Sequence, residues 1–214
     1  MGNHARWPRV LTFVGGAGLV GSFFLTAVDN WLFDFSPMIL VARLSHEAFS
    51  RGSVADKLHN LAGAFVISLP HLFGLHVALD LALPKLMPTG GNRLSRSLLR
   101  SLLLLWLLSS GLLLLSMPDR KWDVYARSLC FSGFGLIFLG HVILPRWKPS
   151  GSPGETLRRG WILGALVCLL WFGFLLAHVG DPVVPAFAGS ITASTLILVG
   201  SLFGRRTVRF SAGE

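Results

Sequence analysis

Histidine is the residue type in this chain whose placement could do chemistry. Of the seven histidines, His71, His76, His141 and His178 lie inside long apolar runs, and His59 sits at the mouth of another. An ionisable side chain in hydrocarbon is costly, so each is a candidate functional group. A neutral imidazole can bind haem iron, or the metal of a chlorophyll-type pigment, through one ring nitrogen. Asp80 follows His76 by four residues, one helical turn, where a carboxylate can accept the other ring N–H and fix the tautomer. The same pair also has the spacing of a proton relay in a small transporter.

The elements that must hold these residues follow from composition. With 52% hydrophobic and 14% charged residues among 214, there are too few charges to solvate a globule of this size, and the expected class is an all-α polytopic membrane bundle. Apolar runs long enough to cross a bilayer core give six spans, at about 10–28, 60–83, 101–117, 128–145, 161–179 and 186–204. Together they form a single transmembrane domain over 1–214. The first run follows Arg6 and Arg9 as a signal peptide would, but it is long and Leu25-Thr26-Ala27 is a poor cleavage site, so it reads as a retained helix.

Six spans return both termini to one side. On that side fall Arg6, Arg9, Lys85, Arg93, Arg96, Arg100, Arg146, Lys148, Arg158, Arg159, Arg205, Arg206 and Arg209; on the other fall Arg43, Arg51, Lys57, Arg120, Lys121 and Arg127. Cytoplasmic loops are enriched in Lys and Arg. The expected setting is therefore an inner (plasma) membrane of the bacterial type with cytoplasmic termini. Trp7, Trp31, Trp122, Tyr125, Trp147 and Trp161 fall near span ends, as an aromatic belt requires. The formal net charge of +9 is spread over short loops and termini facing an anionic leaflet, which accounts for it better than nucleic acid does.

The spans differ in texture. Span 1 carries Gly15, Gly16, Ala17, Gly18, Gly21 and Ser22, and span 6 carries Gly189, Ser190, Ala193 and Ser194. Small residues four apart let helix backbones approach closely, so these spans should pack against protein. The third span, leucine-rich on every side, should be peripheral. Between spans 1 and 2, residues 37–51 place Arg43, His46, Glu47 and Ser50 on one face and Met38, Val41, Leu44, Ala48 and Phe49 on the other. That pattern is a short amphipathic helix on the outer side, lying in the interface, plugging the mouth of the bundle or docking on a partner.

Depth sorts the histidines into an outer pair, His59 with His178, and an inner pair, His76 with His141, leaving His71 near the middle. Two stacked bis-histidine sites are what a di-haem membrane cytochrome needs. Against this, His59 and His76 are 17 residues apart, which puts them roughly 100° apart around one helix. Hydrogen bonding of His71 and His76 to neighbouring helices, with the other three at the headgroups, is the plain structural alternative.

Cys130 and Cys168 both fall inside spans, offering neither a disulfide framework nor a CxxC site. No HExxH, GxSxG or P-loop motif occurs. A three-plus-three division at Pro149–Gly154 suits an inverted-repeat transporter, but the similarity of Gly16-Ala17-Gly18-Leu19 to Gly133-Phe134-Gly135-Leu136 is its whole support. The leading expectation is a non-catalytic accessory subunit, with no metal site, packed in the bilayer against other membrane subunits. A haem b- or chlorophyll-ligating subunit is the second, with His76, His141, His59 and His178 as axial ligands and Asp80 behind them, and a proton-coupled transporter the third.

Overall fold

The computed structural model describes residues 7–25, 28–30, 33–50, 52–82, 91–116, 153–179 and 185–210. Among them are six helices: α1 (Trp7–Ser22), α2 (Pro37–Phe49), α3 (Val54–Ala82), α4 (Gly91–Ser116), α5 (Pro153–Val179) and α6 (Pro185–Phe210). Three, namely α3, α5 over Glu155–Gly173 and α6 over Pro185–Gly204, are long and apolar enough to cross a membrane. The α1 helix has 16 residues, about 24 Å at 1.5 Å per residue and so short of a full crossing. The expected third span starts ten residues early as α4, whose first turns carry Arg93, Arg96 and Arg100. The expected span at 128–145 lies outside the described residues.

One element was not anticipated. Val28–Asn30 (β1) and Phe33–Phe35 (β2) form an antiparallel ribbon with Val28 opposite Phe35 and Asn30 opposite Phe33. The alternation of apolar and polar residues over Phe33-Asp34-Phe35 suits a strand, but Val28-Asp29-Asn30 does not alternate, and the short run is easily read as the frayed end of span 1.

The helix starts are locally encoded. Ser36 caps α2, accepting from the Ile39 N–H at 3.3 Å, with Pro37 in the first turn. At the start of α3, Ser53 and Asp56 form a reciprocal box. Asp56 N–H donates to Ser53 Oγ (3.1 Å), while Ser53 N–H (3.2 Å) and Oγ–H (2.6 Å) donate to Asp56 Oδ2. Replacing Ser53 by alanine removes the two bonds made by its hydroxyl, keeps the backbone N–H bond to Asp56, and should cost about 1 kcal/mol. Thermal unfolding in detergent of S53A beside the exposed control Ala55→Ser measures it, and equal midpoints would dismiss the cap.

Packing is set by close backbone approaches. A Cβ on Gly15 would lie 2.6 Å from Ala193 O, and one on Gly16 would lie 2.8 Å from Gly74 O. The small stripe of α1 thus meets α6 on one side and α3 on the other. Gly164 of α5 receives the Phe73 ring, and Gly160 receives Leu99 of α4. Leu19, Leu69, Phe73, Val77, Cys168 and Ile197 fill the centre. Leu98, Leu104, Leu108 and Leu112 of α4 are exposed while Leu99, Leu103 and Trp106 are buried, so α4 is a peripheral helix with one packed face. Trp7 is exposed as a belt residue should be, but Trp161 is buried in the core. Helix α5 begins at Pro153, eight residues before the expected boundary, and that carries Trp161 inside.

Pro70 leaves α3 continuous over its 29 residues, about 43 Å of helix. Ser22 at the end of α1 faces His71, so the 17 residues from Val54 to Pro70, about 25 Å, run past the end of α1. Helix α2 lies beside this extension. Its start is tied to α1 by Met38 N–H donating to Phe23 O (3.1 Å), and its Leu44 lies over Gly63. The pair forms a helical hairpin closed at Ser50–Ser53.

Candidate functional site

The last turn of α1 tightens. Phe23 N–H donates to Val20 O, Phe24 N–H to Gly21 O and Leu25 N–H to Ser22 O, at 3.1–3.3 Å. This three-residue spacing withholds the Phe23 N–H from Leu19 O, one of the carbonyls a helix end leaves without an intrahelical donor. Two side chains supply it. His71 Nδ1 lies 2.7 Å from Leu19 O, and Ser22 Oγ–H donates to the same oxygen at 2.8 Å. A carbonyl only accepts, so the His71 proton is on Nδ1 and Nε2 carries the lone pair.

From Ser22 the polar contacts cross to α6. Ser190 Oγ–H donates to Ser22 Oγ at 2.8 Å, and Ser194 Oγ–H donates back to Ser190 O at 2.7 Å. Cys168 of α5 is hydrogen-bonded to the Ser194 side chain. Aromatic rings wall the imidazole: Phe23 stands 4.8 Å and Phe172 5.9 Å from it, centroid to centroid, and Phe172 continues to Phe187 at 6.2 Å. Four helices therefore converge on one buried polar seam. His71 Nε2 takes no hydrogen bond from the protein, and neither does His76 Nε2.

Of the four expected ligand histidines, only His59 and His76 have described side chains, and they lie 17 residues apart on α3. His76 is buried with Asp80 in electrostatic range one turn on, while His141 lies outside the described residues, so the inner pair rests on sequence alone. His59 is half-buried near the start of α3, in electrostatic range of Asp56. His178 is in the last turn of α5. No group of three or more His, Cys, Asp or Glu side chains that could hold a metal ion occurs among the described residues.

Sequence reasoning leaves His71 out of the axial-ligand set and offers for it only hydrogen bonding to a neighbouring helix, and the structure shows that bond, to α1. His71 had no partner at equal depth among the histidines, whereas its partners are a backbone carbonyl and a serine that reads as a small packing residue. A signal was available: Ser22 closes the small-residue stripe of α1, and Ser190 opens that of α6.

Fold and site together define a helical bundle with helices able to cross a membrane, joined at its centre by a histidine–serine seam. No protein-family model, no curated protein and no solved structure matches the chain.

Proposed function

We propose that the chain is a non-catalytic integral membrane subunit that packs against a larger membrane complex. In this reading it crosses an inner (plasma) membrane of bacterial type six times, with both termini cytoplasmic. The observation that carries it is the α2–α3 hairpin. A helix of about 43 Å exceeds a bilayer core of about 30 Å. The excess falls at the Val54 end, where Asp56, Lys57, His59 and Asn60 follow one another. At the hairpin's tip Phe49 is 84% and Val54 74% exposed. Helix α5 lies beside this stretch of α3, with Trp171 against Ala62 and Val66, so the open part of the hairpin is its tip, and apolar side chains exposed there are what a partner protein would cover.

Phe49 belongs to the apolar face expected of the amphipathic helix, yet it is turned away from α3, while Ala48 is buried and Leu44 meets Gly63. A helix that only had to cover α3 has no use for it. The test is purification of the full chain from its native membranes in mild detergent, wild type beside Phe49→Ser/Val54→Ser. A partner at fixed stoichiometry, lost or weakened at least tenfold in the double variant, is expected, since buried aromatic anchors dominate interfaces. Co-purification unchanged by the substitutions would refute the hairpin as the docking element.

A second reading, a haem- or pigment-ligating subunit, is favoured by the bare Nε2 atoms of His71 and His76. An Nδ1–H fixed on a carbonyl is how ligand imidazoles are oriented. The absorption spectrum of the purified chain separates the two. The subunit reading predicts no visible band; a Soret or long-wavelength pigment band lost on substituting His71 or His76 would establish the other.

A further inference from the structure

The antiparallel α5–α6 pair carries two buried polar groups that the histidine–serine seam leaves out. Cys168 is hydrogen-bonded to the Ser194 side chain, and Phe172 meets Phe187 at 6.2 Å, so residue numbers rise along α5 as they fall along α6. Trp161 precedes Cys168 by seven residues, and Ser201 follows Ser194 by seven. Seven residues are two turns, about 10 Å along the axis and within about 20° of the starting face. Trp161 and Ser201 therefore stand on facing sides of the two helices at one depth. A second contact agrees. Gly200 of α6 lies against Pro8 and Thr12 of α1, so Ser201, about 100° further round, is turned away from α1 to the α5 side with Ser194.

Both side chains are buried, Trp161 at 9% exposure and Ser201 at 3%. Among the described residues neither Trp161 Nε1 nor Ser201 Oγ has a hydrogen-bond partner. The serine differs from its neighbours on the same helix. Thr192, Ser194 and Thr195 each turn their hydroxyl back onto the carbonyl four residues earlier, at 2.7–2.9 Å, the usual solution for a hydroxyl inside a helix. Ser201 makes no such bond, which leaves its hydroxyl for something outside α6. Buried polar groups are nearly always satisfied. An indole N–H only donates, whereas a hydroxyl donates and accepts. One small molecule that accepts from the indole and bonds to the hydroxyl meets both needs. The cluster that contains Trp161 is otherwise apolar, with Leu157, Ala165 and Ile197, and so suits a neutral occupant rather than an ion.

We propose that a single water molecule is bound between α5 and α6, accepting the Trp161 indole N–H and hydrogen-bonding to Ser201 Oγ. Internal waters join buried polar groups that do not reach one another directly. This one pins the register of α5 on α6 two turns beyond the Cys168–Ser194 contact. The site is internal to the two helices and requires nothing of any partner protein. Its failure would leave the subunit reading standing, and the reverse holds too.

The test is nuclear magnetic resonance of the full chain in perdeuterated mild detergent, with isotope-labelled tryptophan indoles. Trp161→Phe identifies the Trp161 signal by its loss; if that variant does not fold, replacing the other tryptophans one at a time identifies it by elimination. The expected result is an indole proton shifted downfield by hydrogen bonding, with a nuclear Overhauser contact to water that is lost in Ser201→Ala. An indole proton at the upfield position of an unbonded N–H overturns the proposal. So does a bonded one whose contacts lead to lipid, detergent or protein and not to water, or a water contact that Ser201→Ala leaves unchanged. Thermal unfolding supplies a second readout, because the two substitutions remove the same bridge. The midpoint of Trp161→Phe/Ser201→Ala should fall by clearly less than the sum of the two single losses, and strict additivity overturns the bridge.

Discussion

Alanine at position 15 is expected to destabilise the bundle, and alanine at position 21, two turns along the same helix, to stabilise it. At Gly15 the new methyl group would stand 2.6 Å from Ala193 O and 2.8 Å from Ile197 N, both backbone atoms of α6 that no rotamer change can move aside. The helices must separate, and overpacking of this kind costs about 1–3 kcal/mol. At Gly21 an added Cβ meets nothing within 4 Å. There the gain in helix propensity, about 0.5–1 kcal/mol, stands alone. Thermal unfolding of Gly15→Ala and Gly21→Ala in the same detergent compares them directly. A Gly15→Ala midpoint at or above that of the wild type would show that α1 and α6 do not cross at Gly15.

The second large effect is expected at His71. Replacement by leucine removes the Nδ1–H from Leu19 O and sets an apolar side chain beside the last turn of α1. Loss of a buried hydrogen bond whose acceptor keeps another donor costs about 0.5–1.5 kcal/mol. Because Ser22 shares the same acceptor at 2.8 Å, the two losses should not add. In Ser22→Ala the histidine still serves Leu19 O, and in His71→Leu the serine does; only the double variant leaves that carbonyl without a donor. A double-mutant cycle on His71→Leu and Ser22→Ala should therefore give a coupling of at least about 0.5 kcal/mol. Strict additivity would show that the two side chains act independently and that the carbonyl is not their common point.

Much of the architecture was legible because it rests on local or periodic signals. The Ser36-Pro37 start of α2 and the long apolar run of α3 could be placed closely, and the glycines of α1 marked a close-packed helix. Composition could not give partners in space. Ser22 and Ser190, 168 positions apart, read as small spacers until α1 and α6 are laid side by side, when they become a hydrogen-bonded pair. Hydrogen bonding of His71 to a neighbouring helix is legible, but not to which one, because its acceptor is a main-chain oxygen that any residue could have provided. Trp161 was placed at a membrane boundary because Gly160 and the arginines precede it, but the helix had already begun at Pro153. The apolar face that includes Phe49 divides in the structure into a part packed on α3, with Ala48 and Leu44, and an exposed part with Phe49, a distinction that a two-faced pattern does not resolve.

The central claim is that this chain lives as part of a larger membrane assembly, held through the exposed tip of the α2–α3 hairpin. Its most direct test is native gel electrophoresis of membranes solubilised in mild detergent, following the full-length chain as wild type and as Phe49→Ser/Val54→Ser. A wild-type band migrating far above the isolated chain, with the double variant falling to the position of the free chain, is the expected result. Wild-type protein that migrates as the free chain, from membranes in which other complexes survive intact, would contradict a subunit role.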